Sequence, residues 1–170
     1  MAQLLVELGA LRVDADAVAR EVAADAEVAA RLLAAFGGDL RDDAGHIDRR
    51  ELGRRAFRTA EGSRRLEEIM RPPLAAAIEY RLAAAEGVAA AAIVVFDAPL
   101  IFEWGTEGRC DRVVVVDAAE ELRIERVRKR SGMAEGEIRE RMARQMDPAQ
   151  KKARADYVID NNGDLAALHR

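Results

Sequence analysis

Asp14 and Asp16 stand two residues apart at the end of a short apolar run, Leu11-Arg12-Val13. Two more aspartates, Asp97 and Asp117, close the β-branched runs 92–96 and 112–116. A carboxylate at such a place can accept a proton, orient a hydroxyl or take part in holding a divalent cation. If the chain stays extended through Asp16, the i,i+2 spacing turns both carboxylates of the first pair to one side. Cationic partners lie further on. Residues 123–154 carry eleven Lys/Arg against five Asp/Glu, a local +6 within a protein of net charge −4. That asymmetry suits a bound anion such as phosphate better than a nucleic acid, which calls for a broader basic face with stacking aromatics. Arg126 and Arg130 are one helical turn apart and project from one face.

The elements that must position these groups alternate in the α/β manner. Helices are expected over Ala2–Leu8, Ala17–Ala24, Glu27–Phe36, Arg49–Phe57 and Glu61 to about Ala85, the last broken or kinked at Pro72-Pro73. Charged helices follow over Ala119–Arg130 and Ala134–Gln145. Strands are expected over Leu11–Val13, Ala92–Phe96, Arg112–Val116 and Tyr157–Ile159. The unbroken valine and isoleucine runs predict strands covered on both faces of a parallel sheet, with ligands beyond their carboxyl ends. The opening run, a helix, Gly9 and then a strand, reads as the second half of a nucleotide-binding βαβ unit. The first strand and phosphate loop are therefore expected to be absent, with Met1 inside the original first helix.

Composition excludes several classes. The 170 residues predict one domain, 1–170, and half of them are apolar while a third are charged. No apolar run has the length of a membrane span, and no signal-peptide pattern follows Met1. The single cysteine, Cys110, excludes an internal disulfide and a multi-cysteine metal site, and suggests a cytoplasmic protein. It reads as a small apolar residue before a strand. His46 and His169 have no second ligand near them in sequence, so a histidine metal site is not expected.

Several motifs in order carry a resemblance. They are Val13-Asp14-Ala15-Asp16; Asp48-Arg49 with Leu52-Gly53; Asp97-Ala98-Pro99-Leu100-Ile101-Phe102-Glu103; Asp111 to Asp117; Arg126 and Arg130; Gln145 with Lys151; and Ala155 to Asn161. From residue 3 to the end the chain resembles the dephospho-coenzyme A kinases, although Arg71-Pro72 stands where that family has His-Pro. The resemblance implies a three-layer P-loop fold of the nucleoside-monophosphate-kinase type, with a helical acceptor-binding region and a lid. It implies transfer of the γ-phosphoryl of ATP, with Mg²⁺, to the ribose 3′-hydroxyl of dephospho-CoA, the last step of coenzyme A synthesis.

On that reading Asp16 is the general base or Mg²⁺-organising carboxylate, while its position also suits a helix N-cap. Asp14, Asp97, Leu100 and Glu103 would face dephospho-CoA, and Arg126, Arg130 and Arg144 the ATP phosphates. Asn161 and Gly163 suit a purine-binding turn, and Trp104 a surface-anchoring core aromatic. ATP and dephospho-CoA are the expected partners, with no nucleic acid or membrane, and the sequence sets no oligomeric state. Two other readings stay open: a non-catalytic module that binds a CoA precursor or nucleotide, and another nucleotide kinase of the same architecture.

Overall fold

A computed structural model describes residues 1–88 and 93–168, which fall into two compact units, Gly9–Ala98 and Pro99–Arg170 with Met1–Leu8. Ala89 to Ala92, where one strand was expected to begin, and His169 lie outside the described residues.

The Gly9–Ala98 unit contains two parallel strands, β1 (Leu11–Asp14) and β2 (Val94–Asp97), paired from Leu11↔Val94 to Asp14↔Asp97. Its helices are α2 (Ala15–Ala24), α3 (Ala26–Phe36), α4 (Arg49–Ala56) and α5 (Ala60–Val88). Apolar residues recur at helical spacing and are the ones buried: Val18 and Val22 on α2, Val28 and Leu32 on α3, and Leu74, Ile78 and Leu82 on α5. Of the break or kink expected at Pro72-Pro73, the break does not occur: α5 runs through both prolines. Ile69 before them and Leu74, Ile78 and Leu82 after them are all buried. Continuous burial offsets the two N–H donors that the prolines cannot supply.

Between α3 and α4 a small loop is closed by an antiparallel bridge, Arg41↔Ile47. Arg55 fastens it: Nη1 donates to the Phe36 carbonyl at 2.9 Å and to Asp39 at 2.7 Å, while Nε donates to Glu51 at 2.6 Å. Gly37, at φ 119°, leaves room for that guanidinium, since a Cβ would lie 2.5 Å from Arg55 Nη1.

The other unit begins with α1 (Ala2–Glu7) and resumes at Pro99 with the parallel strands β3 (Val114–Asp117) and β4 (Tyr157–Asp160), paired from Val114↔Tyr157 to Asp117↔Asp160. Its remaining helices are α6 (Glu120–Ser131), α7 (Glu135–Ala143), α8 (Pro148–Arg154) and α9 (Leu165–Leu168). Helix α8 is one that sequence reading missed. Its signal was present: Asp147 caps it, accepting from Ala149 N at 2.7 Å, and Pro148 takes the first helical position. The expectation that β3 is covered on both faces is also corrected, because Val114 and Val116 are 44% and 42% exposed. A run of four valines reports β propensity, whereas coverage depends on what packs against each face.

Candidate active site

At the carboxyl end of β1–β2, Asp14 and Asp97 are in register on adjacent strands. Two carboxylates so placed repel each other unless a cation intervenes. Arg12, two residues before Asp14 on the same strand, supplies it. Its Nε and Nη2 donate to Asp97 Oδ2 at 2.9 and 2.6 Å, and Nη2 also lies 2.8 Å from Asp14 Oδ2. The other oxygen of Asp14 accepts from Ala17 N at 2.9 Å and caps α2.

This corrects two expectations about Asp16. Helix α2 starts at Ala15, so Asp14 is the cap and Asp16 lies in the first turn. The extended geometry that would align the two carboxylates therefore ends at Asp14, whose short side chain captures an orphan N–H and turns the backbone helical. Asp16 is exposed, and its carboxylate has no hydrogen bond or ion pair among the described residues. The first turn of a helix is also a favourable place for a negative charge.

Pro99 to Thr106 form consecutive turns: Trp104 N donates to the Leu100 carbonyl at 3.0 Å, and Thr106 N to that of Ile101 at 2.9 Å. Phe102 is buried, with the Arg154 guanidinium 4.8 Å above its ring, while Leu100 and Trp104 are half-buried. Glu103 Oε1 accepts from Met146 N at 2.9 Å and pairs with Lys151 at 2.7 Å. Burial alone would raise its pKa; the Lys151 ammonium and the Met146 N–H outweigh it and hold the carboxyl below its ordinary value. Lys151 also donates to the Pro99 carbonyl at 3.2 Å. Arg154 pairs with Glu107 from the same helix.

At the carboxyl end of β3–β4, Asp117 receives Lys152 Nζ at 2.6 Å, and its carbonyl accepts from Asn161 N at 2.8 Å. Asn162 Oδ1 accepts from Ala119 N at 2.7 Å, joining the turn after β4 to the start of α6. Arg126 braces the same turn: Nη1 donates to the Asn161 carbonyl at 2.8 Å and Nη2 to that of Gly163 at 3.0 Å. Arg126, Asn161 and Gly163 are thus brought together. Arg130 is exposed on the last turn of α6, and Arg144 stands at the C-cap of α7.

Three cations were not singled out in advance as holding these carboxylates: Arg12, Lys151 and Lys152. For Arg12 the signal was its i,i+2 spacing to Asp14 on a strand; the two lysines had none without α8. Burial, with the Asp111 charge adding, pushes the half-buried Cys110 thiol upward, which disfavours a thiolate.

These features define an α/β protein whose acidic and basic side chains gather at the carboxyl ends of parallel strands, where open α/β sheets bind their ligands. The family model for dephospho-CoA kinase matches residues 1–167. A dephospho-CoA kinase of Corynebacterium jeikeium is 42% identical over 167 residues, spanning 96% of this chain and 84% of the relative. One from Deinococcus radiodurans is also 42% identical, spanning 99% and 80%. A crystal structure of TT1252 from Thermus thermophilus superposes with a TM-score of 0.79 at 33% identity, covering 99% of this chain and 84% of that one. The chain belongs to the dephospho-CoA kinase family. It is a phosphotransferase of the α/β class, with parallel strands and many helices.

Proposed function

We propose that this chain transfers the γ-phosphoryl of ATP to the ribose 3′-hydroxyl of dephospho-CoA, with Asp16 as the group that orients and deprotonates that hydroxyl. The family supports the reaction. One observation favours Asp16: of the three carboxylates at the end of β1–β2, Asp14 and Asp97 are held by Arg12 and Asp16 has no partner among the described residues. A base must be free to receive a proton, and a carboxylate already shared between a guanidinium and a helix cap is a poorer one.

Arg126, Arg130 and Arg144 are assigned to the ATP phosphates. Each terminal nitrogen of a guanidinium carries two N–H groups, so Arg126 can brace the carbonyls of Asn161 and Gly163 and still present donors to an anion. Asn161 and Gly163 are assigned to the purine. Asp14, Asp97, Leu100 and Glu103 are assigned to dephospho-CoA, with α7 as part of a lid in a three-layer P-loop kinase architecture. Fixed donors around a transferring phosphoryl stabilise the charge spread over its oxygens.

The reaction implies Mg²⁺ with ATP. Such an ion takes oxygen ligands, one or two carboxylates together with water and phosphate. As the alternative to its role as base, the exposed carboxylate of Asp16 fits that donor set, and the bound ion would offset charge on the phosphates. The single thiol agrees with a cytoplasmic setting.

Steady-state assays with ATP and dephospho-CoA test the assignment. Asp16→Asn should lower kcat by about 10²-fold or more while the fold is kept. An unchanged kcat removes Asp16 from the reaction, and faster phosphorylation of adenylate or cytidylate than of dephospho-CoA removes the acceptor.

A further inference from the structure

Arg12 has no role in the reaction as assigned above, yet it makes the densest set of polar contacts at the end of β1–β2. Its guanidinium bridges the last residues of two neighbouring strands, with Nη2 shared at 2.6 Å from Asp97 and 2.8 Å from Asp14. The bond from Asp14 Oδ1 to Ala17 N then passes that restraint into the first turn of α2. A continuous series therefore runs Asp97, Arg12, Asp14, Ala17 N, and Asp16 lies inside the turn that it closes.

We propose that Arg12 is a positioning residue for phosphoryl transfer: by holding Asp14 as the cap of α2 against the end of β2, it fixes the helical turn that presents Asp16. The inference rests on the role assigned to Asp16. Its physical content is that Asp14 faces two demands, from the Ala17 amide and from the neighbouring carboxylate of Asp97. Without Arg12, two like charges on paired strand residues would push apart, and the side chain that yields is also the cap. A guanidinium suits the place because its fork reaches both carboxylates at once; a lysine ammonium is a single point charge and matches that geometry less well. Arg12 touches neither the acceptor nor ATP in this scheme: its effect on kcat runs through Asp16, while any effect through its partners Asp14 and Asp97 falls on KM for dephospho-CoA.

The test is a double-mutant cycle in kcat, with ATP and dephospho-CoA saturating. Arg12→Met in the wild-type background should lower kcat by about tenfold, the scale expected when a reacting group is displaced by part of an ångström, with KM for ATP unchanged. Arg12→Lys should recover part of that loss. In the Asp16→Asn background, Arg12→Met should change kcat by less than about twofold, since the group it positions is gone. An equal loss in both backgrounds, or no loss in the wild type, overturns the inference while leaving the role of Asp16 intact. If Asp16→Asn alone leaves kcat unchanged, the role of Asp16 fails first and this inference with it. Arg12→Gln keeps donors to a carboxylate, and the same cycle is read with it if Arg12→Met does not fold.

Discussion

At the carboxyl end of β1–β2, Asp14 and Asp97 lie in register and one guanidinium from within the sheet holds both. At the end of β3–β4, Asp117 and Asp160 are in register too, but each is handled separately. Asp117 takes the Lys152 ammonium from α8, while Asp160 accepts from the backbone and side-chain amides of Asn162 at 2.7 and 2.8 Å. The first arrangement is local: the cation is two residues from one of its acids, and among the described residues the next carboxylate in sequence, Asp16, is unshared. The second depends on a helix that arrives from 35 residues away. Two strand pairs with the same register and the same terminal residues thus present different chemistry, a free acid at one end and braced backbone turns at the other.

The surroundings differ as well. Leu32, in the unit of β1–β2, is fully buried, whereas Val116 on β3 is 42% exposed. Leu32→Ala should cost about 2–5 kcal/mol in urea unfolding and Val116→Ala less than about 1 kcal/mol. Equal losses would mean that β3 is covered in solution. The kinetic contrast comes next: Asp16→Asn should lower kcat about 10²-fold, and Asp160→Asn, at a carboxylate bound into its own turn, by less than about threefold. A comparable loss at Asp160 would erase the distinction between the two strand ends.

Helix α8 gives a smaller effect. Asp147→Ala removes its cap and should cost about 1 kcal/mol, and it should weaken Lys152 as a partner of Asp117. The loss is read as a urea midpoint, and an unmoved midpoint would show that α8 is held without the cap.

The last contrast is in acid. Asp39 is lowered to about 2 from 3.8, chiefly by its bond from Arg55, and Glu51 to about 2 from 4.5 by bonds from Arg54 and then Arg55. Groups with depressed folded-state pKa values stabilise the fold above their unfolded values and lose that contribution as pH falls through the folded ones. Stability of the Gly9–Ala98 unit should therefore drop between about pH 4.5 and 2. Arg55→Met should shrink the drop, as read by urea midpoints across that range, and an identical acid profile would deny the Arg55 contribution.

Much of this was legible in the residues. Alternating helices and valine-rich strands announced an α/β chain, and the helix bounds at Ala24, Phe36 and Arg49 follow from caps and glycines that act over a few residues. Asp147-Pro148 was as clear a start signal, passed over because a seven-residue helix has little room for apolar periodicity. The absence of a break at Pro72-Pro73 is of another kind. A local rule against proline gave way to burial along α5 on both sides of the pair.

The order and type of residues alone determined the family, the strand ends that carry aspartates and the region rich in cations, since each depends on neighbours in sequence. Tertiary structure decided which carboxylate is free. Asp14, Asp16, Asp97 and Asp117 are alike as letters, and only the arrival of Arg12, Lys152 and the Ala17 amide separates them. A carboxylate's chemistry is set by the charges and donors within a few ångströms, and strand pairing brings together residues as far apart as 12 and 97.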